Sequence, residues 1–121
     1  AVDGYTDSNW DKGHCSHTRN NKPSWWCVNL QQIYNILYIR IINRDSNPER
    51  LRGFEIKTSS SGQCSNEEFQ SATTCYTDRT RTASGTYDVN RCNQPTSTSF
   101  SARTVYVSVS SQVLTLCEVQ I

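Results

Sequence analysis

The sequence has no methionine, only five glycines and three prolines in 121 residues, and no long hydrophobic run. Its longest apolar-rich stretch, residues 36–42, contains Arg40 and is far too short to span a bilayer as a helix, so we expect no membrane insertion. A signal-peptide pattern is also absent, and together with the missing initiator methionine this indicates a processed or trimmed chain. No Asn-x-Ser/Thr site exists for N-glycosylation.

An excess of charge of one sign is also lacking, since 12 Lys and Arg residues face 11 Asp and Glu residues, for a net charge of +1. Nucleic-acid binding needs several uncompensated cations against the phosphates, so nucleic acid is not an expected partner. Hydrophobic residues are scarce at 35%, which predicts a thin core for the single domain, residues 1–121, that this length allows. Six cysteines in a small polar chain predict disulfides and a secreted, extracellular protein.

The hydrophobic pattern favours strands over helices. Residues 37–42 alternate, with Leu37, Ile39 and Ile41 on one face, which predicts a well-buried strand. Residues 105–110 alternate valine with tyrosine or serine, which predicts a strand with one buried and one wet face. Short strands separated by long polar loops indicate an all-β fold, an antiparallel sandwich or barrel, and loops on such a scaffold often carry binding groups.

The six cysteines allow many pairings, and sequence alone does not choose among them. The spacing favours one bond between residues near the two ends of the chain and two bonds that staple shorter loops: Cys15–Cys117, Cys27–Cys64 and Cys75–Cys92. In the chain-entropy model, a bond that closes a loop of about 100 residues contributes up to ~4.7 kcal/mol. Zinc binding by His14, Cys15 and His17 is a less favoured alternative, because no second close cluster supplies the remaining ligand.

One group of polar and aromatic residues is a candidate binding site: Trp10, His17, Arg44 and Arg50. The two arginines flank the loop 45–49 and offer many rigid N–H donors, and the histidine adds another donor or acceptor. Such a set suits an anion or adjacent hydroxyls on a sugar. The alternative is that each arginine pairs with a carboxylate of that loop as a solvated surface ion pair.

Patterns for catalysis are missing. Glu67 and Glu68 are interpreted as part of a solvated loop, and no second buried carboxylate is evident for acid–base work. Neither a Ser–His–Asp order nor a phosphate-binding glycine loop occurs. We therefore expect a binding protein and not an enzyme.

Four segments form a combined pattern that runs from the first residue to the last: residues 1–18, with Asp3-Gly4 and Gly13-His14-Cys15; residues 25–30, with Trp25-Trp26; residues 43–56; and residues 116–119. His17 and Arg44 are separated by 26 residues. Each segment alone is common, but the combination resembles the F-type lectin (fucolectin) domain, within the discoidin or galactose-binding-like group.

The resemblance implies an antiparallel jelly-roll β-sandwich with long binding loops at one end, and a shallow loop pocket for terminal L-fucose on glycans. By position, His17, Arg44 and Arg50 would hydrogen-bond the fucose hydroxyls and ring oxygen, and Trp10 would lie near its methyl group. Fucosylated glycans or glycoproteins would be the partners. Because a single shallow site binds weakly, a homo-oligomer or tandem array is expected.

The resemblance also implies a structural Ca²⁺ ion remote from the sugar. The matching ligands are the side chains of Asp3 and Glu118 and the backbone carbonyls of Tyr5, His14 and Cys117, which are hard oxygen donors of the kind that calcium prefers. The alternative is that Asp3 makes only an Asx-type turn and that Glu118 is a residue of a β-bulge.

Three departures from the family pattern bear on these expectations. Loop 45–48 is one residue shorter than is usual and lacks the family's two adjacent cysteines, with Pro48 as the stiffening residue instead. His14 stands where a serine hydroxyl often joins the calcium ligands. The family's segment before the Asp-Gly element is absent from this chain, which leaves one sheet edge to be exposed or covered by another chain. The missing cysteine pair favours the alternative function, a discoidin-like module that binds protein or matrix with an inactive sugar pocket.

Overall fold

The computed structural model describes residues 1–19, 23–95, 100–110 and 113–121. The strands, in chain order, are β1 (Ser16–His17), β2 (Ser24–Asn35), β3 (Ile39–Ile42), β4 (Glu55–Ser59), β5 (Thr73–Thr77), β6 (Thr86–Val89), β7 (Ser101–Val109), β8 (Thr115–Leu116) and β9 (Glu118–Gln120). Two short 3-10 helices, Trp10–Lys12 and Pro48–Leu51, and the α-helix α1 (Asn66–Ser71) lie between them.

The strands form three sheets in which every pairing is antiparallel. The larger sheets have the orders β2-β7-β4-β5 and β6-β3-β9, and β1 pairs with β8 in a small third sheet. A hydrophobic core made by residues of both larger sheets joins them, with Ile39, Ile41 and Val119 from one and Ile56 and Val107 from the other. The predicted all-β antiparallel sandwich is confirmed.

Strand β3 follows the predicted alternation over only part of the run. Ile39 and Ile41 are fully buried, and between them Arg40 points outward, where its guanidinium pairs with Asp88 across the neighbouring strand at 2.7 Å. Leu37 precedes the strand and is 83% exposed, so its predicted place on the buried face is wrong. Ile36 is buried instead, at 7% exposure, so the buried face of the chain changes parity just before β3.

Strand β7 is buried on both faces from Thr104 to Val109, so the predicted wet face is wrong. The strand lies between β2 and β4, and its outward-facing Tyr106 packs against Trp25 and Phe69, at ring-centroid distances of 5.4 and 5.5 Å. Helix α1, which carries Phe69, thus adds a second, smaller layer on the outer face of the sheet.

Three disulfides cross-link the chain, and they are the pairs that the spacing favoured: Cys15–Cys117, Cys27–Cys64 and Cys75–Cys92. The first spans 102 residues and joins the segment before β1 to the segment between β8 and β9. These bonds support a core that is small for the length of the chain. None of the helices in the described ranges is long and apolar enough to cross a membrane.

Candidate functional site

Three of the four predicted sugar-binding residues come together at the end of the sandwich where β3 ends. The Arg44 guanidinium carbon lies 4.1 Å from the centre of the Trp10 ring, which is a cation–π contact. On the same indole the His17 ring packs at 5.3 Å, tilted by 50°. Trp10 therefore contacts both the imidazole and the guanidinium.

The loop that carries Arg44 is braced from within. Asn43 is fully buried, and its side-chain amide donates to the carbonyls of Pro48 at 2.9 Å and Ser84 at 3.1 Å. Its Oδ1 accepts from the backbone N–H of Arg44 at 2.9 Å. The backbone N–H of Asp45 donates to the Ser8 carbonyl, which ties the loop to the first segment of the chain. These hydrogen bonds fix the backbone on both sides of Arg44, as a preorganised binding group requires.

The Arg44 guanidinium keeps spare donors although its side chain is buried. Its Nε and Nη2 atoms both donate to Ser46 Oγ, at 3.2 and 2.6 Å. A guanidinium has five N–H donors, so these two hydrogen bonds leave three available. The Asp45 carboxylate accepts from the backbone N–H of Trp10 at 3.4 Å and not from Arg44, so the surface ion pair expected as the alternative does not form at this arginine.

Arg50 lies on the same loop but outside the ring contacts made by Trp10. It belongs to the 3-10 helix Pro48–Leu51, which begins at a proline and is anchored by the fully buried Leu51. Its side chain is half-buried and makes no hydrogen bond or ion pair with any residue that the structure describes. The helix packs beside β8, whose partner strand β1 carries His17. Arg50 is therefore an unpaired cation in the same part of the molecule.

His17 offers an acceptor to this end of the molecule. Its Nδ1 lies 3.0 Å from the Thr18 carbonyl, and because a carbonyl only accepts, Nδ1 is the donor and Nε2 is the acceptor of the neutral ring. Opposite His17, Thr115 is fully buried, and its hydroxyl finds no hydrogen-bond partner in the described part of the chain. A cavity of about 120 Å³ beside His17 is closed by Trp26 and Leu116.

Two of the predicted calcium ligands, the side chains of Asp3 and Glu118, lie in adjoining segments. The buried Glu118 carboxylate accepts from the backbone N–H groups of Asp3 at 3.2 Å and Gly4 at 3.1 Å. Asp3 Oδ2 lies 3.4 Å from His14 Nδ1, and the Tyr5 ring stacks on the His14 ring at 4.3 Å. The Tyr5 backbone N–H donates to Asp3 Oδ1 at 3.0 Å, which is the Asx turn expected as the alternative and lowers the pKa of Asp3.

This arrangement fits an oxygen-liganded ion only in part. Among residues 1–19, 23–95, 100–110 and 113–121, no group of three or more His, Cys, Asp or Glu side chains is arranged to hold a metal. The carboxylates of Asp3 and Glu118 nevertheless approach one short segment, and each oxygen retains a lone pair beyond its present hydrogen bond. Any ion here would depend largely on backbone carbonyls, which are acceptable ligands for Ca²⁺.

Sequence reasoning missed one polar centre, the carboxylate of Glu68. It is buried against β7 and accepts hydrogen bonds from the Tyr106 hydroxyl at 2.7 Å and from the backbone N–H groups of Gln63 and Cys64 at 2.9 and 3.3 Å. Burial raises the pKa of Glu68, but these hydrogen bonds outweigh it and hold the pKa below its ordinary value. The interpretation of residues 67–68 as a solvated loop is wrong for Glu68. The spacing Ser65–Glu68, typical of an N-terminal cap, was the available signal.

Comparison with known proteins adds independent findings. The family model of the NedA-like, galactose-binding domain matches residues 1–109. Fucolectin-6 of Anguilla japonica is 34% identical over 122 residues, which cover 100% of this chain and 60% of that protein. Fucolectin-1 of the same species is 46% identical over 57 residues, 46% of this chain and 32% of that protein.

Among solved structures, the f-lectin (fucolectin) from striped bass (Morone saxatilis) serum superposes with a TM-score of 0.76 at 27% sequence identity. The superposition covers 97% of this chain and 38% of that chain. This chain therefore spans between about a third and three fifths of the length of the relatives it matches.

Proposed function

The chain belongs to the family of NedA-like galactose-binding domains and has the F-type lectin domain that its sequence pattern indicated, and from this premise we propose that it binds terminal L-fucose-like sugars on glycans. The relatives are called fucolectins, a name for proteins that bind sugar without changing it. The observation that carries the proposal is the buried Arg44 guanidinium, fixed on one side by Ser46 and Trp10 and left with unused donors.

Each group has a chemical role in this proposal. Neighbouring hydroxyls of the sugar accept from the spare N–H groups of Arg44 and from the unpaired guanidinium of Arg50. His17 Nε2 accepts from a hydroxyl, because its Nδ1 proton is already donated to a backbone carbonyl. Trp10 supplies apolar surface for the sugar's methyl group, which is worth about 1 kcal/mol, by analogy with one buried CH₂.

The test is isothermal titration with free L-fucose and, separately, with D-galactose. The wild-type chain should bind fucose weakly and galactose more weakly still. Arg50→Ala should lower the fucose affinity by at least about tenfold, equal to ~1.4 kcal/mol. Arg79→Ala removes an exposed arginine outside the site and serves as the matched control. A folded wild-type protein that releases no heat with millimolar fucose would contradict the proposal.

A specific observation favours the second candidate, a discoidin-like module that binds protein or matrix. Loop 45–48 carries no adjacent cysteines, and the Arg44 side chain is buried and packs against Trp10. If the pocket is inactive, the titration with fucose stays silent while the folded chain is retained on immobilised extracellular-matrix protein. Fucose binding that Arg50→Ala abolishes would exclude this candidate.

We propose further that Asp3 and Glu118, with the carbonyls of Tyr5, His14 and Cys117, hold a structural Ca²⁺ ion. The ion would join the first segment of the chain to β9. Ligand binding stabilises the folded state by about 2.7 kcal/mol at a hundredfold excess over Kd, so added Ca²⁺ should raise the melting temperature and EDTA should lower it. Glu118→Gln should remove the response, and the exposed Glu67→Gln should keep it. An unchanged melting temperature in EDTA, in a protein free of bound metal, excludes the ion.

Secretion and clustering complete the proposal. Three disulfides support a protein that matures in an oxidising compartment, outside the cytosol. Since one shallow site binds a monosaccharide weakly, avidity for fucosylated glycoproteins requires several copies, as a homo-oligomer or a tandem array. Light scattering coupled to gel filtration measures the copy number directly.

A further inference from the structure

A groove beside the small cavity at His17 is a candidate for a second sugar subsite. It has a volume of about 630 Å³ and lies between the start of β2 and helix α1. Trp25 and Phe69 supply its aromatic wall, and Asn66 and Gln70 supply side-chain amides from α1. We call this the Trp25 groove. Its volume is within the range of pockets that bind small molecules, whereas the cavity at His17 measures only about 120 Å³.

The Trp25 groove adjoins the small cavity beside His17. Thr18 and Trp25 line both the groove and the smaller cavity beside His17. A ligand held at His17 that extends beyond one monosaccharide has this groove as its neighbouring space. The two rings of Trp25 and Phe69 stack at 5.8 Å with an angle of 20°, so the aromatic wall is a fixed surface.

The amides of the groove are oriented for an external partner. Asn66 Oδ1 accepts from Trp25 Nε1 at 3.1 Å, which turns the Asn66 Nδ2 donors away from the indole. Gln70 lies four residues further along α1, on the same helix face, and is exposed. Each amide carries a donor and an acceptor, which together match the adjacent hydroxyls of a pyranose.

The chemistry of the lining selects the class of sugar. No charged side chain lines the groove among the described residues, so the described lining offers no group that would favour a carboxylated sugar over a neutral one. The described lining combines two aromatic rings with hydroxyl and amide groups, which suits a neutral ligand that carries several hydroxyls. We propose that the Trp25 groove binds the neutral pyranose that neighbours fucose in a fucosylated oligosaccharide. This inference rests on the proposed function.

The experiment compares free L-fucose with a neutral fucosylated trisaccharide by isothermal titration. We expect the wild-type chain to bind the trisaccharide at least about tenfold more tightly than fucose. Asn66→Asp keeps an acceptor for the Trp25 N–H but replaces the amide donors with a charge, and Gln70→Ala removes the second amide. Each variant should weaken trisaccharide binding by about three- to tenfold, the value of a neutral hydrogen bond, and leave fucose binding unchanged.

Gln63→Ala is the matched control, because Gln63 is exposed and does not line the groove. If both ligands bind equally, or if Asn66→Asp and Gln70→Ala bind the trisaccharide like the wild type, the groove is not a subsite while the fucose site stands. If neither ligand binds the folded wild-type protein, the proposed function itself has failed. A matching trisaccharide with a sialic acid at the neighbouring position should lose the tenfold gain; if it binds as tightly, the neutral class is wrong.

Discussion

Glu68 and Arg44 carry opposite charges and are almost equally buried, at 5% and 7% exposure, yet their hydrogen bonding differs. The carboxylate of Glu68 receives three hydrogen bonds, from a tyrosine hydroxyl and two backbone N–H groups. The guanidinium of Arg44 donates two hydrogen bonds to a single serine oxygen and packs against an indole. Both charges are fixed in position, but only one is fully satisfied.

The contrast separates a structural charge from a binding charge. A buried ion is costly unless its hydrogen-bonding groups are paired, so the three hydrogen bonds at Glu68 indicate a structural role. Arg44 keeps donors that solvent or a ligand must satisfy. Since burial alone does not distinguish the two residues, the number of unused donors and acceptors is the more informative quantity. Substitution of Glu68 should therefore lower stability and leave sugar affinity unchanged. Substitution of Arg44 should lower sugar affinity with little loss of stability.

The largest effect is expected for Glu68→Ala. Its loss leaves the buried hydroxyl of Tyr106 without its carboxylate acceptor, at a cost of roughly 1–3 kcal/mol, and it also removes the acceptor of the Gln63 and Cys64 N–H groups. The free energy of unfolding in urea should fall by about 3 kcal/mol. Fucose binding by the folded variant should stay within twofold of wild type. A loss of fucose affinity without a loss of stability would reverse the assignment.

Arg44→Lys should lower fucose affinity and leave stability nearly unchanged, with a smaller effect in free energy than Glu68→Ala. Lysine keeps the charge and most of the stem but loses the planar fork that meets two hydroxyls at once. Fucose affinity should fall by about ten- to a hundredfold, which corresponds to ~1.4–2.8 kcal/mol, measured by isothermal titration. Unfolding in urea should show a loss of less than about 1 kcal/mol. Full affinity in this variant would mean that Arg44 does not contact the sugar.

The smallest expected effect is a loss of stability at low pH. Because the folded-state pKa of Glu68 lies below its ordinary value of 4.5, its contribution to stability is complete above pH 4.5 and is lost as pH falls through the folded pKa. The free energy of unfolding should decline below pH 4.5, and Glu68→Gln should show a shallower decline. Equal slopes for the wild type and Glu68→Gln would show that other carboxylates, such as Asp3 and Asp7, cause the acid sensitivity.

The sequence predicted the parts of this molecule that depend on short-range pattern and spacing. Alternation at Ile39 and Ile41 predicted the buried strand. The spacing of the cysteines favoured the three disulfides that form, although sequence alone did not choose among the possible pairings. Resemblance to a known domain grouped Trp10, His17 and Arg44, which the fold brings into contact. The roles of these residues in sugar binding stay predictions until the titrations are done.

Features that depend on a layer packed from a distant part of the chain were missed. The wet face predicted for β7 is dry because α1, about forty residues earlier, covers Tyr106. The same helix places the Glu68 carboxylate against the Tyr106 hydroxyl, and no local pattern around residues 67–68 could establish that contact. Thr115 was missed for a similar reason, since its polar side chain is enclosed only when β1 pairs with β8. Periodicity describes a strand's own two faces, and a second layer can cover either of them.

The Cys15–Cys117 bond has a consequence for when this domain can act. Cys15 lies two residues before His17, and Cys117 immediately precedes Glu118, so a single covalent link fastens both the imidazole and the carboxylate segment. Without this bond, the His17 segment would be held to the last strands by noncovalent contacts alone, among them the two-residue pairing of β1 with β8. The geometry of the proposed sugar site therefore depends in part on a bond that reducing conditions can break.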